Sequence, residues 1–197
     1  MSVAIFHSAS ALKPADLLTL PMQQSLADWA GCSVQPAFRW CFARDPKTLW
    51  FRASLPGGQH FDRQHAPGEF VEGLWEQDVA EFFLKDSSGR YQEFNVSPAG
   101  AWWTVALRGY RTREETTPEL YVSAIEASVE ADGWTAVLGI SHAGLSVQLD
   151  DSSLLHVSGI VHKPARQFLS SRPVAGIEPD FHHPEAFQRV SFQEFPK

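Results

Sequence analysis

Short runs of alternating apolar and polar residues recur along this chain, each closed by a compact turn, and that recurrence limits the folds open to it. FRWCFAR (38–44) leads through the turn DPK into TLWFRAS (48–54). DVAEFFLK (78–85), the turn DSSGR and YQEFNVS (91–97) form a second pair, which SPAG extends into AWWTVALR (101–108). YVSAIEASVE (121–130), ADG and WTAVLGI make a third. LLHVSGIVHK (154–163) and a segment near 188–194 read as further strands. Asp, Gly, Pro and Ser at the junctions supply the turn conformations, so neighbouring runs are predicted to pair as hairpins. ADLLTLPMQQSLADW has helical character, but Pro21 interrupts it by removing a backbone donor. HAGLSVQL holds at most one helical turn. About eight to eleven strands with at most short helices predict an all-β chain: one antiparallel β-sandwich domain over residues 1–197, with jelly-roll or immunoglobulin-like layering.

Charge and composition narrow the partners. The formal net charge of −7 argues against nucleic acid, whose binding is driven by lysine and arginine neutralising phosphates. No stretch approaches the ~20 apolar residues of a membrane span, so no membrane partner is expected. The first residues, MSVAIFHSASALKPADLLTLP, lack the basic start and long apolar core of a secretory signal, which makes a cytoplasmic location the expectation. Cys32 and Cys41 are then expected to be two buried free thiols. The polar stretch PGGQHFDRQHAPGEFVEG (56–73) is long for a structureless connection, and loops of that kind are often functional.

Alternation assigns faces. Successive side chains of a strand point to opposite sides. Phe94 and Val96 are expected in the core, with Tyr91, Glu93, Asn95 and Ser97 on the other side. Extending the same face to the neighbouring strands predicts one polar-aromatic surface of Glu81, Phe83, Tyr91, Glu93, Asn95, Trp102 and Arg108. Such a mixture matches a sugar ring, whose C–H face suits aromatic planes and whose hydroxyl rim suits carboxylate, amide and guanidinium groups. It also matches a solvated sheet face with cross-strand charge pairs, such as Glu81 or Glu93 with Arg108.

GLWEQDVAEFFL, followed by YQEFNVSPAGAWWTVALRGYR and later by PDFHHPEAFQRVSF, resembles the DOMON-like bacterial proteins related to family 9 carbohydrate-binding modules. The resemblance rests on Gly73, Leu74, Trp75, Glu81 and Phe82. It continues through Tyr91, Glu93, Phe94, Asn95, Ser97, Pro98, Gly100, Trp102, Tyr110 and Arg111. Gln188 departs from the pattern, where a glycine usually precedes the arginine. The resemblance implies a sandwich that binds saccharides without catalysis. Trp75 is the best match to one member of the sugar-clamping tryptophan pair; the partner is Trp102, Trp134 or no tryptophan. On this reading Trp75 and Trp102 stack on sugar faces. Glu81, Tyr91, Glu93, Asn95 and Arg108 supply the polar face, and Arg166 and His182 close the site from late loops. The resemblance also allows structural calcium, although no spacing singles out a site.

Other chemistries fit less well. GISHAGL has Ala143 where a nucleophile elbow at Ser141 needs glycine, and the surrounding strands lack the parallel α/β setting. Glu81 and Glu93 could form the carboxylate pair of a glycosidase, as could many unrelated pairs. His182 and His183 adjoin on the chain, so their side chains diverge, and a capping or anchoring role is expected in place of metal ligation. Met1 and Met22 lie outside the matched segment, which disfavours a methionine–histidine haem site. The expectation is a binding module with no catalytic residues, metal ligands or cofactor. The alternative is an interaction domain, such as a homodimer, that uses the same aromatic face.

Overall fold

A computed structural model describes residues 2–57, 60–115, 122–163, 165–174 and 176–196. In chain order it contains β1 (Val3–His7), the single-turn helix α1 (Pro14–Leu17), β2 (Gln23–Ala27), β3 (Ser33–Arg44), β4 (Thr48–Pro56) and β5 (Val79–Lys85). There follow β6 (Tyr91–Val96), β7 (Trp102–Gly109), β8 (Thr112–Arg113), β9 (Val122–Val129), β10 (Gly133–Ser141), β11 (Leu154–Val161), β12 (Gln167–Ser170) and β13 (Gln188–Glu194). Three short 3-10 turns lie at 74–76, 142–144 and 184–186. The chain is mostly β with one short helix, and no helix among the described residues is long and apolar enough to cross a membrane.

The expected hairpins are all present: β3 with β4, β5 with β6, β6 with β7, and β9 with β10. The start of β9 expected at Tyr121 lies outside the described residues, as do Gly58 and Gln59 of the long loop. The ladder runs β8-β7-β6-β5-β11-β13-β1-β3-β4-β10-β9, with β12 added to β11 and β2 to β3. It folds over at β13. Gln188 and Arg189 pair with β11, whereas Val190 to Glu194 pair with β1, so one strand belongs to both layers. The rings confirm the sandwich. Phe82 of β5 sits 5.3 Å from Phe42 and 4.8 Å from Phe51 of the opposite layer, and 4.6 Å from Phe94 of its own.

Several features differ from the sequence expectation. Helix forms only over Pro14–Leu17; beyond Pro21 the chain becomes β2, pairing antiparallel with β3. Proline disfavours the helical region for the residue before it, and β3 offers the freed backbone a ladder. β1 had no recognisable partner, because its neighbours β3 and β13 are distant in sequence. It runs parallel to both, so the sandwich is mixed although mostly antiparallel. The cysteines are both free, but Cys32 is exposed and only Cys41 is buried.

Candidate functional site

The site is built on the outer face of β5, β6 and β7. Cross-strand register places Glu81 opposite Asn95 and Asn95 opposite Trp103. One row along, Phe83 faces Glu93 and Glu93 faces Val105. β11 extends both rows with Ser158 beside Glu81 and His156 beside Phe83. Directly opposed residues lie on the same side of a sheet. Glu81, Phe83, Tyr91, Glu93, Asn95, Trp103, Val105 and Leu107 therefore share the face turned away from the sandwich interior.

This corrects the expected face at two residues. Trp102 pairs with Val96, packs in the inter-sheet core, and donates its indole N–H to Gly68 O at 3.1 Å. Arg108 has the same parity as Trp102 and is exposed. Their places beside the carboxylates are taken by Trp103, Arg111 and Arg113. The deciding signal was the length of the turn after Val96. Ser97 N–H bonds Ala101 O at 2.9 Å, and Gly100 adopts φ 80°, a left-handed value that glycine tolerates without a Cβ penalty. A loop of Pro98, Ala99 and Gly100 fixes Asn95 opposite Trp103; one residue fewer would have brought up Trp102. Trp134 is also removed as a partner for Trp75, being 2% exposed in the core.

Segments outside these three strands close over this face. Trp75 comes from the 3-10 turn at 74–76, Phe168 from β12, and Pro179, Phe181 and His182 from the loop before β13. Together with the sheet residues they enclose a cavity of about 330 Å3. Trp75 and Trp103 meet edge to face, 5.0 Å between centroids. The closing loop is tied down by Asp180. It accepts from Tyr110 Oη at 2.8 Å, Arg111 Nη2 at 3.0 Å and the His182 backbone N–H at 3.0 Å. Burial acts to raise the Asp180 pKa, but these donors outweigh it and hold the carboxyl below its ordinary value. His156 anchors the loop from beneath, its Nδ1 donating to Phe181 O at 2.9 Å. Burial pushes His156 down to about 4, so it is neutral at pH 7.

Protonation within the cavity follows from the hydrogen bonds. Tyr91 Oη accepts the Arg111 backbone N–H at 3.0 Å and lies 2.9 Å from His182 Nδ1. The arrangement that uses the phenol proton has Tyr91 donating to Nδ1, which leaves the imidazole hydrogen on Nε2. That nitrogen lies 3.7 Å from Glu93 Oε2. Burial, aided by the charge of Arg111, lowers His182 to about 4 and keeps the ring neutral. Glu81 accepts a hydrogen bond from Ser158 Oγ at 3.1 Å, and Glu93 accepts one from Asn95 Nδ2 at 3.1 Å. Desolvation raises both acids: Glu81 is further raised by Glu93, while Glu93 is partly offset by Asn95, Arg113 and Arg111.

Of the residues expected to bind ligand, Trp75, Glu81, Glu93 and His182 line the cavity. Tyr91 and Asn95 stand behind His182 and Glu93 as their hydrogen-bond partners. Arg166 braces the wall, donating to Trp75 O at 3.1 Å with its guanidinium over Phe168. His183 caps the turn at 184–186 by accepting from Glu185 N, the anchoring role expected of it. Arg111, Arg113, Phe168 and Phe181 were not expected. Arg111 and Phe181 come from turns, Arg113 from β8 and Phe168 from β12, short edge elements whose position no local pattern encodes.

No family model matches the chain. It is 29% identical over 136 residues to the UPF0462 protein C4orf33 homolog of Danio rerio, a match that covers 64% of this chain and 66% of that protein's length. Among solved structures, a putative carbohydrate-binding protein from Bacteroides uniformis superposes with a TM-score of 0.75. It has 18% identity and covers 98% of this chain and 99% of its own. A family 9 carbohydrate-binding module from Caldicellulosiruptor kristjanssonii, solved with glucose, gives a TM-score of 0.61 at 10% identity over 98% of this chain and 96% of its own. The same kind of module solved with cellotriose gives 0.61 at 10% identity, covering 98% and 94%. The fold is that of a family 9 carbohydrate-binding-module β-sandwich.

Proposed function

We propose that the whole chain acts as a non-catalytic saccharide-binding module, with the sugar held in the cavity over β5, β6 and β7. The observation that carries this reading is the meeting of aromatic walls and hydroxyl-binding groups in one concave site. Trp75 and Trp103 offer apolar surface to C–H faces, while Glu81, Glu93 and the Nε2–H of His182 offer acceptors and donors to the rim. A neutral carboxyl both donates and accepts, so the buried acids serve ligand hydroxyls of either polarity. Modules of the same fold described in complex with glucose and cellotriose support a sugar as ligand. A homodimer through this sheet face is disfavoured, since the loop carrying Pro179, Phe181 and His182 already covers it.

Replacing Trp75 with Ala is expected to weaken saccharide binding by about 1–3 kcal/mol, the loss of a well-packed aromatic contact. That corresponds to roughly a ten- to hundredfold rise in Kd. Trp102→Phe, on the far side of the same sheet, is expected to leave the affinity unchanged. Isothermal titration with mono- and disaccharides reads both variants. An affinity that falls with Trp102→Phe but not with Trp75→Ala would place the ligand elsewhere.

A further inference from the structure

We propose that the cavity selects sugars bearing a protonated amine over neutral sugars, with the ammonium seated between Glu81 and Glu93; this rests on the saccharide-binding reading above. Glu81 and Glu93 are diagonal neighbours on adjacent strands, Glu81 facing Asn95 and Glu93 lying two residues before Asn95. That spacing is roughly 7–8 Å, within reach of one shared cation for side chains as long as glutamate.

Among the described residues each carboxyl has a single protein donor, Ser158 for Glu81 and Asn95 for Glu93, against about four lone-pair sites on an ionised carboxylate. Among the described residues, no nearby cation is dedicated to the pair. Arg111 is bound to Asp180 at 3.0 Å and Arg113 to Glu72 at 2.6 Å. His182 is neutral, with Nδ1 occupied by Tyr91. His156 is neutral and held by Phe181 O and Ser170. Lys85 directs its ammonium at the Phe187 ring, 5.1 Å from the centroid.

Two buried acids whose countercharges are only partial hold their protons below their raised values of about 8 for Glu81 and about 7 for Glu93, and a ligand that brings a dedicated countercharge changes that balance. An ammonium supplies three donors, and hydrogen bonds to charged groups are about twice as strong as those between neutral ones. Trp75 adds an aromatic ring to the cavity lining, and such rings attract cations through their quadrupoles; the Trp103 ring already carries the Arg113 guanidinium, 5.2 Å from its centroid. Repulsion from Arg111 and Arg113 is limited, because each guanidinium carries its own carboxylate partner. The protons balance simply: the ammonium keeps its three hydrogens, and each carboxyl that ionises on binding releases one proton to the buffer.

The test is calorimetric titration of the intact protein with glucosamine, N-acetylglucosamine and glucose, at about pH 6, in two buffers of different ionisation enthalpy. Glucosamine is expected to bind about tenfold or more tightly than the other two, with proton release into the buffer. In Glu93→Gln the preference falls toward one. Equal affinities for all three sugars without proton release overturn the amine preference and leave saccharide binding standing. Failure of all three to bind overturns both. Proton release is read on the wild-type protein, so the test does not depend on the folding of the variant.

Discussion

Glu81→Gln is expected to stabilise the folded protein above neutral pH by on the order of 3 kcal/mol. Glu81 is 2% exposed, and burial together with the nearby Glu93 raises its pKa from 4.5 to about 8. Between those values the folded protein keeps a proton that the unfolded chain loses. Stability therefore falls as pH rises through the window, and the loss is complete above the folded value. Glu93, raised to about 7, adds to the same slope.

The buried histidines act in the opposite direction. His156 and His182 are lowered from 6.5 to about 4, so their contribution is complete above pH 6.5 and is lost as pH falls toward 4. The two effects oppose one another below pH 6.5, and only the carboxyl effect remains from there to about 8. Gln keeps the shape and still accepts from Ser158 Oγ, but it has no charge to bury. Urea unfolding at pH 6.5 and just above 8 is expected to show the wild type losing stability and the variant losing much less. Equal losses in the two proteins would mean that Glu81 is ionised throughout.

The next residue along the same strand is expected to behave in the opposite way. Phe82→Ala should cost about 3–5 kcal/mol, the usual penalty for emptying a phenylalanine-sized space in a packed core. Phe82 is fully buried, and its ring meets Phe42, Phe51 and Phe94 across and within the two layers. For a chain of this size about 2–4 °C is lost per kcal/mol, so calorimetry should show Tm lower by roughly 10 °C. A loss below about 1 kcal/mol would show that the layers are not joined through this residue. Two adjacent side chains thus have opposite effects, because alternation sends one into the sandwich interior and the other into the cavity on the outer face.

The sequence determined the local half of this protein. Strand pairs, turn positions and the opposed faces of β6 follow from a period of two and from turn residues next to it in the chain, so DSSGR and SPAG could be read directly. Glu81, Glu93, Trp75 and His182 were recognisable as a group from that alternation together with the family resemblance. Only the tertiary structure decided the rest. Register across SPAG selected Trp103 in place of Trp102, a choice that one residue of turn length reverses. β1 found its parallel partners, and β13 joined the two layers, through pairings between opposite ends of the chain. Asp180 brought the closing loop to Tyr110 and Arg111, some 70 residues away in sequence. The protonation of the acid pair was undetermined by sequence for the same reason: desolvation belongs to the finished environment, and that environment exists only once distant segments have packed around the carboxyls.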